Sequence, residues 1–225
     1  VQPNPVAAGS ATFCMVNAER LEFTEEVHGQ FMHRRDNATL KCVRDGQVMT
    51  DLALKGGRKT GFVTERSRDG TRRVAYVDDR RHGEEQRWSR EGKLVYASAW
   101  DQDQQLWAKE MHPGGTLASY WRKHAQTRGE VRLTADGKVT RLTCGPDVRD
   151  DAELRSWCGF EAESTVPVYD HSGKVQKVVS YKDGVIQKEA AGDSTLSRQG
   201  SVAYQDGKKH GEERVLGVNG KLRET

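Results

Sequence analysis

Short stretches of the chain alternate between apolar and polar side chains, and many of them follow a glycine. The clearest examples begin at Gly92, Gly115, Gly137 and Gly173, after which aliphatic or aromatic residues return at every second position. A period of two is typical of a β-strand with one buried face. Glycines interrupt most windows before a helical period develops. The pattern therefore predicts an all-β chain.

The glycines recur at a regular spacing, which indicates an internal repeat. Steps of 22 or 23 residues separate the members of one series, which are Asp69-Gly70, Glu91-Gly92, Gly114-Gly115 and Asp136-Gly137. A second series is interleaved with the first and comprises Thr60-Gly61, His82-Gly83 and Arg128-Gly129. Acid-Gly pairs supply the positive φ angles of tight hairpin turns. We therefore predict one β-hairpin after another along the chain.

Changes in the pattern divide the chain into five segments. Residues 1–10 are predicted to be an N-terminal tail, 11–56 degenerate repeats and 57–143 regular repeats. An insertion at 144–164 interrupts the series, and the repeat resumes over 165–225. Within the insertion we expect a short helical turn, capped by an aspartate and closed by a disulfide.

The composition favours a thin sheet. Hydrophobic residues make up 35% of the chain and charged residues 31%, and the mean hydropathy is −0.83. This is too polar for a thick two-layer core, and the apolar positions are too regular for disorder. We therefore expect a single-layer sheet with many side chains in water. No apolar run approaches the length that spans a membrane.

The charges are balanced and mixed along the chain. There are 36 basic and 33 acidic residues, for a net charge of +3. Basic groups such as Arg80-Arg81-His82 and Lys208-Lys209-His210 lie beside acids. A nucleic-acid-binding protein usually concentrates its cations on one face or in one tail. The charge pattern therefore argues against a nucleic-acid partner.

Four cysteines leave three pairings open, and proximity in the sequence favours Cys14–Cys42 with Cys144–Cys158. None has the paired spacing of a zinc site. Disulfides persist in oxidising compartments such as a bacterial periplasm, whereas reduced thiols would indicate the cytoplasm. The sequence begins at Val1 without a methionine, so we expect a removed signal peptide and a periplasmic location. A lipid anchor ahead of Val1 is compatible with the sequence but not visible in it.

No catalytic motif occurs in the sequence. The nucleophile elbow, the P-loop, the dinucleotide-binding glycine pattern and the zinc-protease motif are all missing. His28, His82 and His210 each precede a glycine at equivalent repeat positions, which favours a role in the turn. Asp101 and Asp103 lack the ordered ligand run of a calcium loop. The sequence therefore predicts no enzyme, no cofactor and no metal site.

Aromatic residues are concentrated between Trp88 and Trp121. Two interpretations stay open: cross-strand aromatic pairs that replace a second layer, or anchors for a protein partner. Charged neighbours would add the complementarity that selects a partner. The candidate partner-binding residues are Arg87, Trp88, Tyr96, Trp100, Asp101, Asp103, Trp107, Tyr120, Trp121 and Arg122.

Two segments, Tyr76–Leu94 and Tyr204–Leu222, share one pattern: a tyrosine, then a His-Gly pair, then a closing Gly-Lys-Leu. The pattern resembles the bacterial variant of the MORN repeat (membrane occupation and recognition nexus). The resemblance extends over Gly57–Thr225, with the Cys144–Cys158 insertion outside it. It implies a single-layer antiparallel sheet of successive hairpins that curves into a groove.

Bacterial members of this variant are often antitoxins, and exported ones are similar to immunity proteins against type VI secretion effectors, notably lipases. The resemblance thus implies a periplasmic immunity protein that binds and occludes a secreted toxin, such as a phospholipase. The alternative is a MORN-type, envelope-associated scaffold or protein-binding module without a toxin partner.

Overall fold

The protein is all-β, with 61% of its residues in strands and 4% in helix. A computed structural model describes residues 12–22, 25–192, 200–205, 208–210, 214–216 and 222–224. The expected tail, residues 1–10, lies outside these ranges. The all-β prediction is confirmed.

Twelve strands form one antiparallel sheet. They are β1 Thr12–Val16, β2 Glu19–Glu22, β3 Ala38–Arg44, β4 Gln47–Lys55, β5 Arg58–Arg66, β6 Gly70–Val77, β7 Arg80–Ser89, β8 Leu94–Asp101, β9 Gln104–Met111, β10 Leu117–Lys123, β11 Arg128–Leu133 and β12 Val139–Thr143. Their order in space follows the sequence from β12 back to β3, and β1 then lies between β3 and β2. Helix α1, Glu25–Met32, separates β2 from β3 in the chain.

A second sheet contains the remaining described strands. They are β13 Ser164–Tyr169, β14 Val175–Lys182, β15 Val185–Ala191, β16 Gly200–Gln205, β17 Lys208–Lys209, β18 Arg214–Leu216 and β19 Leu222–Glu224. The order is β13-β14-β15-β16-β18-β19, and β17 pairs with β16. The chain divides into two compact units, Val1–Leu106 and Trp107–Thr225.

The core of the first unit lies over its first strands. The buried side chains there include Leu40, Leu52 and Val63, and Phe31 of helix α1 packs with them at 2% exposure. The expected single layer therefore gains cover from a helix at this point. Cys14 lies directly opposite Cys42 in the β1–β3 pair, and the two form a disulfide.

The insertion covers part of the second unit in the same way. Its disulfide joins Cys144 to Cys158, so both bridges follow the pairing that sequence proximity favours. A 3₁₀ helix spans Pro146–Val148, and the residue before it, Gly145, makes no side-chain capping bond. The expected aspartate cap lies in the turns that follow, where Oδ1 of Asp151 accepts from the N–H of Glu153 at 3.0 Å. Asp147 lies inside the 3₁₀ helix, and its Oδ2 accepts from the backbone of the 126–127 turn.

One type of hairpin turn recurs along the chain, and each copy contains one of the glycines noted above. The N–H groups of Ser89, His112, Thr134 and Asp170 each donate to the carbonyl four residues further on. The fourth residue of each turn is a glycine with positive φ, as at Gly92. The recurring glycines thus mark recurring turns of one geometry.

The opposite turns are shorter and use aspartate. Asp78 and Asp79 both have positive φ, as a two-residue hairpin turn of type I′ requires. The N–H of Lys59 donates to Oδ1 of Asp79 at 2.7 Å, and the N–H of Arg81 donates to Oδ1 of Asp103 at 3.1 Å. Each of these aspartates thus fixes its turn to the previous hairpin.

Candidate functional site

A buried carboxylate interrupts an apolar row in the first unit. Val63, Val74, Glu85 and Ser98 lie directly opposite one another on four neighbouring strands. Their exposed fractions are 7%, 2%, 0% and 0%. Burying a charge is costly unless it is paired and hydrogen-bonded. Glu85 therefore needs partners, and the structure supplies them.

Three side chains donate to the carboxylate of Glu85. Nε of Arg72 and Nε of Arg87 each lie 2.9 Å from Oε1. The indole Nε1 of Trp100 lies 3.0 Å from Oε2 and 2.9 Å from the hydroxyl of Ser98. We call these five residues the Glu85 cluster. Its members come from β6, β7 and β8, so the hairpin register brings them together.

The cluster keeps Glu85 ionised. Burial acts to raise the pKa of the carboxyl, but the hydrogen bonds and charges of Arg72 and Arg87 outweigh burial and lower it overall. Burial also acts to lower the pKa of Arg72, and its bond to Glu85 reverses this effect. The cluster therefore carries two positive charges and one negative charge at neutral pH.

The guanidinium groups are fixed but still reach solvent. The side chain of Arg72 is 35% exposed and that of Arg87 is 48% exposed, whereas that of Glu85 is 0% exposed. The Arg87 guanidinium lies 4.6 Å from the centre of the Tyr96 ring, within cation–π range. A cavity of about 330 Å³ adjoins the cluster, with Trp88 and Val95 in its lining. Fixed cations and aromatic rings thus share one surface.

Trp100 links the cluster to the neighbouring turn. The Arg81 guanidinium lies 3.6 Å from the centre of the Trp100 ring. Nε of Arg81 also lies 3.0 Å from Oδ1 of Asp103. Asp101 lies beside this turn, with Oδ1 at 3.1 Å from Nδ1 of His82. The structure therefore places Asp101 and Asp103 at the turn and assigns Asp103 a structural contact.

The predicted aromatic residues of the second unit have different environments. Tyr120 is 5% exposed and packs with Val131 and Leu154, and its hydroxyl donates to Oδ2 of Asp151 at 3.0 Å. Trp107 packs against the same core. The insertion thus covers this part of the strands, so Tyr120 is a core residue and not an exposed anchor.

Trp121 points to the other side of β10, because successive residues of a strand alternate between faces. Its ring lies 4.1 Å from the Arg128 guanidinium. Arg122 is exposed and lies directly opposite Trp107 in the β9–β10 pair. Within the second unit, Tyr120 and Trp121 therefore lie on opposite faces of β10. Arg87, Trp88, Tyr96 and Trp100 do lie at or beside the Glu85 cluster.

Sequence reasoning missed Arg72, Arg81 and Glu85. A signal for Glu85 was present in the repeat: the segment that begins His82-Gly83 has a glutamate two residues after the glycine, where the segment that begins Arg128-Gly129 has Val131. A polar residue at a repeat position that is otherwise apolar marks a departure from the packing rule.

No group of three or more His, Cys, Asp or Glu that could hold a metal ion occurs within the described ranges. No helix in the described part of the chain is long and apolar enough to cross a membrane.

Comparison with protein-family models and with curated proteins gives no match for this chain. The resemblance to the MORN repeat therefore depends on the sequence pattern quoted above.

Proposed function

We propose that this chain is a MORN-type repeat protein that acts as an immunity protein, binding a secreted toxin and occluding its active site. The observation that carries the proposal is the Glu85 cluster, where a buried carboxylate fixes two part-exposed arginines beside Trp100 and Tyr96. Arginine, tryptophan and tyrosine contribute most to binding hot spots. Side chains that are already fixed lose less entropy on binding.

The charge of the surface indicates the chemistry of the partner. Arg72 and Arg87 share one carboxylate oxygen of Glu85, and Nη1 of Arg72 also lies 3.5 Å from Oε2 of Glu65. Arg87 contacts Glu85 through Nε and Nη2, which leaves its Nη1 donors for a partner. A planar guanidinium matches a carboxylate in a two-bond arrangement. The proposed partner therefore presents an acidic patch. A phospholipase effector of type VI secretion is the toxin class that the resemblance suggests.

The two disulfides indicate an oxidising, exported environment. The periplasm is the compartment we propose, because an immunity protein must meet its toxin where the toxin acts.

Affinity capture from an extract of the source organism tests the function. A secreted effector that co-elutes stoichiometrically and loses its activity on mixing would support the immunity role. Recovery of envelope components alone would overturn it in favour of the scaffold alternative.

Two matched variants test the site. Arg87→Ala removes one exposed donor and leaves Arg72 to pair with Glu85, so the affinity for the effector should fall by about tenfold or more. Arg73→Ala is the control, because Arg73 is the next residue in β6, on the other face, and stacks on Phe62 at 3.7 Å. If both variants lost affinity equally, or if neither lost affinity, the Glu85 cluster would be excluded as the binding surface.

A further inference from the structure

Two neighbouring hairpin turns carry the same Ser-Arg-acid-Gly pattern. Ser67-Arg68-Asp69-Gly70 joins β5 to β6, and Ser89-Arg90-Glu91-Gly92 joins β7 to β8. Both turns lie at the same ends of adjacent hairpins, two strand spacings apart. Two spacings amount to about 10 Å. The repeat therefore places the arginines Arg68 and Arg90 side by side.

A cavity of about 500 Å³ lies between these turns. Its volume is in the range of sites that hold small molecules. The lining carries three arginines and three hydroxyl groups and no carboxylate, and these six residues are Arg66, Arg68, Arg90, Ser67, Thr71 and Ser89. The acids of the two turns, Asp69 and Glu91, do not line it. Every charged group in the lining is therefore positive.

The three cations are not neutralised by a bonded carboxylate. Nε of Arg66 donates to Oγ1 of Thr71 at 3.1 Å, and Nη1 donates to Oε1 of Gln47 at 3.0 Å, and both acceptors are neutral. Arg68 and Arg90 make no hydrogen bond or ion pair with any residue of the described ranges, and the charge of Arg90 acts at longer range on the carboxyl of Glu91. Arg66 is thus fixed with its charge retained, and the other two arginines keep all of their donors.

The turn itself does not require arginine. The turn that begins at His112 makes the same backbone bonds as the turn that begins at Ser89, yet it has Pro113 where the latter has Arg90. The turn at Thr134 has Ala135 there. The arginines are therefore specific to the two turns that form the cavity.

We propose that this cavity is a binding site for a phosphate-type oxyanion, the mono- or diphosphate group of a soluble compound. Guanidinium groups match the geometry of phosphate oxygens and can donate two bonds each. The hydroxyl of Ser67, which accepts from the N–H of Asp69, provides a further donor, whereas that of Ser89 donates to Oε2 of Glu91. Arg68 and Arg90 belong to neither the Glu85 cluster nor the cavity beside it. The two cavities are adjacent, because Arg66, Ser67, Gly70 and Thr71 line both, and Arg68 and Arg90 distinguish this one.

Calorimetric titration with pyrophosphate at low ionic strength tests the site. The wild-type protein should bind with one-to-one stoichiometry, and the affinity should fall as sodium chloride is added. The double variant Arg68→Ala/Arg90→Ala should bind at least about tenfold more weakly. The control Arg35→Ala/Arg58→Ala removes the same net charge from exposed positions outside the cavity, and its affinity should change less than twofold. Circular dichroism checks that each variant is folded.

A flotation assay distinguishes the source of the phosphate group, with phosphatidylglycerol vesicles compared with phosphatidylcholine vesicles. Pyrophosphate binding without vesicle binding would support a soluble ligand. Vesicle binding that requires Arg68 and Arg90, without pyrophosphate binding, would overturn the soluble ligand in favour of a lipid headgroup. Absence of all binding, or an equal loss in the control pair, would overturn the site. Toxin binding is tested separately by the Arg87→Ala variant, because Arg87 does not line this cavity.

Discussion

Arg72 and Arg87 lie directly opposite each other in the β6–β7 pair, and both donate to one oxygen of Glu85. Like charges in directly opposite positions destabilise a sheet. The carboxylate of Glu85 lies two residues before Arg87, on the same face of β7, and it offsets this repulsion. The cluster is thus stable only as a whole, and it holds two cations closer together than the sheet would otherwise tolerate.

The first prediction concerns the charge of Glu85. The Glu85→Gln variant keeps the size of the side chain but leaves Arg87 without an anion and Arg72 with only its 3.5 Å contact to Glu65. We expect the free energy of unfolding to fall by about 1–3 kcal/mol, because removing one partner leaves the other charges uncompensated. Urea denaturation at neutral pH measures the change.

Glu84→Gln is the control for this variant. Glu84 precedes Glu85 in β7 and is exposed, so the same loss of charge should alter stability little. Equal effects of the two changes would mean that the net charge of the strand, and not the Glu85 cluster, determines stability.

The second prediction concerns pH. The pKa of Glu85 is lowered in the folded state, so its contribution is complete above the ordinary value of 4.5 and is lost as the pH falls through the folded pKa. The difference in unfolding free energy between wild type and Glu85→Gln should therefore be constant at neutral pH and shrink below about pH 4.5. Urea denaturation in a pH series measures it. A difference that persists unchanged in acid would contradict an ionic origin.

The sequence predicted the parts of this fold that depend on local pattern. Alternation and recurring glycines indicated hairpins, and proximity favoured the cysteine pairs that the structure contains. The Glu85 cluster depends on register across three strands, which the sequence does not reveal: Glu84 and Glu85 are the same residue type in adjacent positions. The burial of Tyr120 could not be predicted from the sequence either, because it depends on where the insertion packs.

The third prediction tests that packing. Tyr120→Phe removes the hydroxyl that donates to Asp151, which is 1% exposed. Burial, followed by the charge of Asp151, raises the pKa of this tyrosine well above its usual range, so the hydroxyl stays protonated and donates. Loss of the bond leaves a buried carboxylate oxygen of Asp151 with one donor fewer. We therefore expect the free energy of unfolding to fall by about 1–3 kcal/mol, which thermal or urea denaturation measures.

Tyr169→Phe is the matched control for Tyr120→Phe. The ring of Tyr169 lies 5.6 Å from Nζ of Lys138, a contact that a phenylalanine ring retains. Its effect should be much smaller. If the two variants were equally stable, the Tyr120–Asp151 bond would not fix the insertion.

The fourth prediction concerns the disulfide of the insertion. Cys144 and Cys158 are 14 residues apart. Closing a loop of this length restricts the unfolded chain, which raises the free energy of unfolding by about 3 kcal/mol. Cys158 is also fully buried in the core that contains Tyr120. The double variant Cys144→Ala/Cys158→Ala should therefore unfold at lower urea concentration. In this background the insertion detaches, so adding Tyr120→Phe should no longer lower the free energy of unfolding.

Cys14→Ala/Cys42→Ala, at the bridge of the first unit, is the matched control. It should destabilise the protein, but Tyr120→Phe should still lower the free energy of unfolding in this background. If both disulfide variants changed the effect of Tyr120→Phe equally, the insertion would not be held locally by its own disulfide.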